Sequence, residues 1–240
     1  MIDKHSPIPI YYQIEEFLKE KIVSKQYEVD QAIPSERELS EVFGVSRMTI
    51  RQALNDLVTE GYLYREKGKG TFVAAQKIEQ PLHEVTGFSE DMLKRGMVPA
   101  TRIIQFGETD ADKQIAAYLK INEHDPIYKI ERLRLADERP IALEHTYVPV
   151  HLVPNLTEDI VKESFYSYVE QHLQLEISHA EQTIEAGLAN SKQASLLEIS
   201  QGSPVLFIQQ LTCLTNEQPI EWVRSTYRAD RYKFHVNMKR

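Results

Sequence analysis

The chain has 240 residues and a mass of 27.8 kDa, with 28 Lys plus Arg against 36 Asp plus Glu, so its formal net charge is −8. At roughly 100–200 residues per domain that length predicts one large domain or two small ones, and 42% apolar with 27% charged residues excludes collagen-like and low-complexity chains. The single cysteine, Cys213, cannot close an internal disulfide, and no run of about 18 apolar residues occurs, so a cytoplasmic protein without membrane association is expected.

The first helix is predicted after Pro7 and Pro9, where Ile10, Ile14, Phe17, Leu18 and Ile22 recur with helical spacing. A second opens at Pro34-Ser35-Glu36-Arg37-Glu38, with Ser35 as cap and Glu38 completing a capping box. Gly44 breaks it, Val45 plugs the turn, and Ser46 caps a third helix whose inner face is Ile50, Ala53, Leu54 and Leu57. Gly61 ends that helix. Two β-prone runs, 62–65 and 71–73, flank Glu66-Lys67-Gly68-Lys69-Gly70, a turn whose glycines are free to take positive φ. A short helix, a Gly-centred turn, a second helix and a hairpin form a winged helix-turn-helix pattern. Arg47, Thr49 and Arg51 lie off the inner face of the third helix, where a recognition helix meets base edges. With Lys67 and Lys69 at the wing tip, they place donors where phosphates and groove edges would sit. The plain alternative is a solvated surface on a small bundle.

Three stretches closely resemble the GntR type of bacterial transcription regulator: Pro34-Ser35-Glu36-Arg37-Glu38-Leu39, then the run from Phe43-Gly44-Val45-Ser46-Arg47 to Gln52-Ala53-Leu54, then Gly68-Lys69-Gly70-Thr71-Phe72-Val73. The resemblance implies that Arg37 and Arg47 read guanines and that Ser35, Ser46, Thr49 and Arg51 hold backbone phosphates. It also implies that Gly70 enters the minor groove. An arginine fork matches the acceptor pair of guanine, a contact of roughly 1–3 kcal/mol in discrimination.

Residues 76–85 have no firm period and one proline, and are expected to link a domain of residues 1–75 to one of residues 86–240. Beyond the linker, helices and strands alternate. A helix capped by Thr109 or Asp110 runs to Leu119. Strands at 127–135 and 141–148 flank a turn at Asp137-Glu138-Arg139-Pro140. Helical spacing covers 157–172, a strand 177–186 and a helix 190–197. A long hairpin, 205–214 and 220–227, closes the chain towards Tyr232 and Phe234. Two blocks echo one another at an offset of 78–80 residues: Lys113-Gln114, Pro126, Pro140-Ile141 and Thr146-Tyr147 match Lys192-Gln193, Pro204, Pro219-Ile220 and Thr226-Tyr227. The echo predicts a helix plus hairpin used twice, sharing an antiparallel sheet with a cleft between the copies. The overall expectation is an α+β chain, a winged helix-turn-helix followed by an antiparallel sheet with helices.

Strand parity puts Tyr128, Ile130, Arg132 and Arg134 on one face and Lys129, Glu131, Leu133 and Leu135 on the other. Two arginines on one face make a paired fork suited to phosphate or carboxylate. Glu144 and Glu221 share strand parity past their prolines and can accept hydrogen bonds from ligand hydroxyl or amino groups. The competing reading is a solvated sheet face carrying surface ion pairs.

This second region is similar to the effector-binding domain of the HutC branch of the same regulators, called UTRA, a fold like that of chorismate lyase without its catalysis. The motifs are Gly87-Phe88-Ser89-Glu90-Asp91-Met92, Arg95-Gly96, Ile130-Glu131-Arg132-Leu133-Arg134-Leu135-Ala136, Pro140-Ile141-Ala142-Leu143-Glu144, Ser164-Phe165-Tyr166, Pro219-Ile220-Glu221 and Tyr227-Arg228-Ala229-Asp230. Within the branch the chain is similar to regulators of N-acetylglucosamine use. That resemblance implies glucosamine 6-phosphate or its N-acetyl form as effector. Ser89, Arg132, Arg134, Ser164 and Tyr166 would hold the phosphate and Glu144, Glu221 and Tyr227 the sugar. Departures are Gln210 and His179, where related chains often carry Arg, and Lys120 and Glu198, where glycines are common.

An enzyme is the main rival class. The eight histidines show no metal-ligand spacing, Cys213 sits between apolar Leu211 and Leu214, and neither a phosphate-binding Gly-rich loop nor a Gly-x-Ser-x-Gly elbow occurs. No catalytic residue, metal or cofactor is therefore expected, although Glu144 and Glu221 could serve as acid and base in a sugar-phosphate enzyme. A winged-helix module for protein or RNA is a third class. The expected partners are a palindromic double-stranded DNA operator, a phosphosugar effector, with another sugar phosphate or an organic acid as alternative, and a second copy in a homodimer. The acidic balance taken alone argues against a nucleic-acid partner but, once divided, does not exclude one: residues 1–75 hold 10 basic and 12 acidic groups, while residues 44–72 hold five basic and three acidic.

Overall fold

The computed structural model describes all residues except 1, 4, 5, 25, 75, 76, 83, 239 and 240, and the chain divides into two compact units, Met1–Lys77 and Ile78–Arg240. Gln76 and His83, within the expected linker, lie outside the described residues. The rest of that segment is not structureless, because it carries a short strand described below.

Unit one is a three-helix bundle with a hairpin: α1 (Ile10–Val23), α2 (Glu36–Phe43), α3 (Arg47–Thr59), β1 (Leu63–Glu66) and β2 (Gly70–Val73). The helices start where their caps stand. Ser35 accepts from the Glu38 amide while the Glu38 carboxylate accepts from the Ser35 amide, and Ser46 accepts from the Thr49 amide. Each such cap contributes about 1 kcal/mol. Gly44 turns the chain between α2 and α3 at φ 62°, a left-handed conformation that a β-carbon would oppose. Ile14, Leu18, Leu39, Ile50, Ala53, Leu54, Leu57, Leu63 and Val73 form one core, with Val45 packed against it.

Unit two is built on a six-stranded antiparallel sheet. Its strands are β4 (Pro99–Asp110), β5 (Pro126–Ala136), β6 (Arg139–Pro149), β7 (Ile177–Leu188), β8 (Pro204–Leu214) and β9 (Pro219–Arg228), in spatial order β4-β5-β6-β9-β8-β7. The order reads the same in both copies of the echo: strand, helix, hairpin, with helices α5 (Lys113–Leu119) and α8 (Ser191–Leu197), joined where β6 pairs with β9. The opposed pair Ala142 and Tyr227 maps onto Trp222 and Tyr147 under the 80-residue offset, which is what a pseudo-twofold axis through that pairing requires. The register shifts after Arg134 in one hairpin and after Thr212 in the other, at equivalent positions. Each shift lets a proline, Pro140 or Pro219, sit in a strand despite having no N–H to donate.

One sheet face packs on α5 and α8 through Ile115, Ala116, Leu119, Ile127 and Trp222 on one side and Leu133, Leu143 and Leu197 on the other. The opposite face is partly covered by α6 (Glu158–Lys162), α7 (Phe165–Ser167), a π-type turn at Tyr168–His172, and α4 (Phe88–Lys94). A parallel pair, β3 (Ile78–Pro81) with β10 (Tyr232–His235), lies apart from the main sheet.

Four expectations change. The helix expected to be capped by Thr109 or Asp110 is capped by Asp112, because β4 continues its ladder to Asp110 opposite Pro126. The single helix expected over 157–172 is broken at Glu163 and restarted by Ser164, which caps α7. A 12-residue edge strand, β4, and the helix α4 were not anticipated as elements. The segment 76–85 contains β3, whose partner β10 lies about 150 residues away in sequence.

Candidate functional site

In unit one the candidate DNA residues share the start of α3, the start of α2 and the wing. Arg47 is exposed in the first turn of α3. Arg37 is exposed in α2, its Nε 3.8 Å from Glu41. The hydroxyls are committed to capping: Ser35 Oγ donates to Glu38 at 2.7 Å, and Ser46 Oγ lies 2.9 Å from Thr49 Oγ1. Arg51, expected free, is held by Glu36 through bonds of 2.7 and 3.1 Å, with Arg65 also 3.8 Å from that carboxylate. The Arg51 bond holds the Glu36 carboxyl below its usual range. Solvent screens a pair this exposed, so Arg51 can exchange Glu36 for another anion at small cost. In the wing, Lys67 and Lys69 are exposed, Lys69 2.8 Å from Glu66, and Gly70 takes φ 136°.

In unit two a cavity of about 710 Å³ opens on the sheet face opposite α5 and α8, and seven candidate effector residues line it together with Ser89: Arg132, Arg134, Glu144, Ser164, Tyr166, Glu221 and Tyr227. Arg132 and Arg134 project from β5 on the same face. Arg134 is 3% exposed; it donates to Thr101 Oγ1 at 2.7 Å and Ser89 Oγ at 2.9 Å and stacks over Phe88 at 4.6 Å. Burial lowers its pKa to about 10 against the opposing pull of Glu144. Arg132 donates to the Val161 carbonyl and Thr146 Oγ1, both at 3.2 Å, and pairs with Glu144 at 3.0 Å. Neither Nε–H finds a hydrogen-bond acceptor among the described residues. Two buried guanidiniums with spare Nε–H donors leave room for an acceptor oxygen between them, because a buried donor without a hydrogen bond is costly.

The other half of the cavity is neutral or acidic. Tyr166 donates to Glu221 Oε1 at 2.6 Å and accepts from Gln210 Nε2 at 2.9 Å, and Gln182 donates to Gln210 Oε1 at 2.8 Å. Thr212 adds a 3.0 Å bond to Glu221. Burial raises the Glu221 carboxyl above the usual range, with the Tyr166 bond opposing, and raises the Tyr166 and Tyr227 phenols well above theirs. The Tyr166 hydroxyl thus bonds Glu221, and Ser164 Oγ caps α7 by accepting from the Ser167 amide at 3.3 Å. Residues not singled out from sequence also shape the site: Thr101, Thr146, Gln182 and Thr212. Thr146 lies two residues from Glu144 on β6 and Thr212 two from Gln210 on β8, a period-two signal that was present; Thr101 lies on the unanticipated β4. Among the described residues no cluster of metal-ligating side chains occurs, and no helix is long and apolar enough to cross a membrane.

Residues 10–73 match bacterial regulatory proteins of the gntR family, and residues 94–233, more than half of the chain, match the UTRA domain. The chain belongs to the gntR family of bacterial regulatory proteins. It is 45% identical over 239 residues to the HTH-type transcriptional repressor NagR of Bacillus subtilis, covering 100% of this chain and 98% of that one. It is 31% identical to the mannosyl-D-glycerate transport/metabolism system repressor MngR of Escherichia coli, over 97% of each chain. Among solved structures, PhnF of Mycobacterium smegmatis superposes with a TM-score of 0.74 at 27% identity, covering 94% of this chain and 99% of that one. As a gntR-family member with a UTRA domain, the chain is a DNA-binding transcription regulator and not an enzyme.

Proposed function

We propose that the protein is a ligand-released repressor of genes for amino-sugar uptake and catabolism, with glucosamine 6-phosphate or N-acetylglucosamine 6-phosphate as effector. Residues 1–75 are assigned to DNA, 86–240 to the effector, and 76–85 to the connection. A cytoplasmic homodimer would set two winged helices on half-sites of a palindromic operator. Arg37 and Arg47 would read guanines, with Ser35, Ser46, Thr49, Arg51, Lys67, Lys69 and Gly70 at the backbone and minor groove.

One observation carries the effector class: the buried Arg132 and Arg134, each with an Nε–H lacking a hydrogen-bond acceptor among the described residues, face a cavity that Glu221, Tyr166 and Tyr227 also line, with Glu144 beside the two arginines. That arrangement suits a molecule with a dianionic end and a polyhydroxylated or amino end. The resemblance to regulators of N-acetylglucosamine use supports the sugar, and the repressor names of full-length relatives support the sign of regulation. Ligand binding would tighten the groups around Ser89 and Ser164 and alter operator affinity by a coupling of about 1–3 kcal/mol, roughly 5- to 150-fold.

A thermal-shift screen with glucosamine 6-phosphate, N-acetylglucosamine 6-phosphate, trehalose 6-phosphate and urocanate tests the reading. Selective stabilisation by the first two, accompanied by release of bound DNA, is the expected result. Selective stabilisation by trehalose 6-phosphate or urocanate would overturn the amino-sugar assignment in favour of another sugar phosphate or an organic acid.

A further inference from the structure

The sequence motif Arg95-Gly96 takes no part in the cavity wall, yet Arg95, which caps the C-terminal end of α4, makes several side-chain bonds there. Its Nη1 donates to the Asp91 carbonyl at 2.6 Å, and its Nη2 donates to the Glu79 carbonyl at 2.7 Å and to Gln80 Oε1 at 3.2 Å. Glu79 and Gln80 belong to β3, the first element of unit two and the one that continues covalently from Lys77. Around this fork the polar groups are closed on one another. Tyr232 donates to the same Gln80 Oε1 at 2.9 Å, Gln80 Nε2 donates to Thr86 at 3.4 Å, and Thr86 donates to the buried Asp91 at 2.8 Å.

Phe88, Ser89, Asp91 and Lys94 along α4 line the cavity, as does Gln80 of β3. Ser89 Oγ accepts from Arg134 at 2.9 Å, and the Phe88 ring lies under the same guanidinium. A helix of seven residues is about 10 Å long and behaves as a rigid strut. Any anion that draws Arg134 or Ser89 therefore acts on a body whose far end is bonded to β3. Besides Arg95 and its neighbours, β3 is held by backbone bonds to β10 and its flanks, including the Ile78 amide to Arg231 at 2.7 Å and the Leu82 amide to His235 at 3.1 Å, by the exposed Glu79–Lys233 ion pair and by Ile78 packed with Met92 and Tyr232. From this arrangement we infer that Arg95 is a positioning residue for regulation: it latches α4 to β3, so that occupancy of the cavity sets the position of the strand leading back to residues 10–73. The latch rests on the proposed function for its trigger, but its mechanical part does not.

The test uses the full chain as wild type, Arg95→Lys and Arg95→Ala, with Gln80→Leu as a second route should Arg95→Ala fold poorly. Hydrogen exchange without ligand reads the latch directly. The Ile78 and Leu82 amides should exchange at least about 10-fold faster in Arg95→Ala and in Gln80→Leu, with the amides of β5 and β6 unchanged. Arg95→Lys, lacking the fork, should lie between. Release from a DNA fragment selected by the wild-type chain reads the function. Glucosamine 6-phosphate should bind Arg95→Ala within about 3-fold of wild type but change its DNA affinity less than about 3-fold. Unchanged exchange at both amides, or undiminished release, overturns the inference. If neither amino-sugar phosphate binds the wild type, the effector reading fails, and the exchange measurements still decide the latch.

Discussion

Lys120 and Glu198 end equivalent helices in the same left-handed conformation, at φ 53° and 55°, 78 residues apart. Each donates its amide back into its helix, to Ala116 and Ala194. A left-handed conformation costs an L-residue about 1–2 kcal/mol, of which glycine recovers part while losing some to its freer unfolded chain. Lys120→Gly and Glu198→Gly should each stabilise unit two by about 0.5–1 kcal/mol, raising the midpoint of its calorimetric transition by a few degrees. Both side chains are exposed, so no packing is lost. A fall in the midpoint for either variant would show that the side chain contributes something the backbone geometry does not reveal.

On the proposed reading, Arg132→Ala should leave DNA binding intact while abolishing release by glucosamine 6-phosphate. A charge-assisted hydrogen bond is about 1.5–3 kcal/mol, so calorimetric affinity for the phosphosugar should fall at least about 10-fold. The variant also strands Glu144, whose remaining contact with Arg134 is 3.8 Å, and should lower stability. Normal release by Arg132→Ala would remove this residue from the site.

Much of unit one was legible because its signals are local. Ser35 with Glu38, Gly44, and Ser46 with Thr49 each act within a few residues, and their bonds form as spacing predicts. In unit two the repeated Pro and Tyr positions revealed two hairpins, period-two parity put Arg132 with Arg134 and Glu144 with Glu221, and the register of β5 with β6 then sets Arg132 opposite Glu144. What stayed hidden depends on distant partners. β3 has four residues and a parallel partner at the other end of the chain, and β4 is an edge strand whose half-buried positions Pro99, Thr101 and Ile103 alternate with Ala100, Arg102 and Ile104, residue types that give no apolar–polar alternation to read. The partners of Arg134 come from Ser89 and Thr101, 45 and 33 residues away, and that of Arg51 from Glu36, 15 residues back. Nothing local marks such pairs.

Glu221 gives the cavity a pH signature. Its folded carboxyl titrates above the unfolded one, because burial outweighs the bonds from Tyr166 and Thr212 and the pull of Arg132. Protonation therefore favours the folded state: the contribution is fully present below the unfolded value and is lost as pH rises through the raised one. Glu221→Gln keeps an acceptor for Tyr166 and removes the charge. Its melting temperature relative to wild type should be higher at pH 8 than at pH 5. An identical difference at both values would mean that Glu221 is ionised without penalty. His145, on the opposite sheet face, runs the other way. Burial depresses it despite Glu131, so its contribution is lost as pH falls through the depressed value.

Arg47 separates reading from holding. It stands exposed in the first turn of α3, where a guanidinium can present two parallel donors to one base edge. Lysine retains the charge and the reach but not the fork. Arg47→Lys should therefore bind unrelated duplex as wild type does, with the same salt dependence, since the count of neutralised phosphates is unchanged. Affinity for a selected operator should fall by about 1–3 kcal/mol, roughly 5- to 150-fold. Anisotropy titrations on operator and scrambled duplex at two salt concentrations measure both quantities. Equal losses on the two duplexes would make Arg47 a phosphate contact, and no loss on either would move base reading elsewhere in α2 and α3.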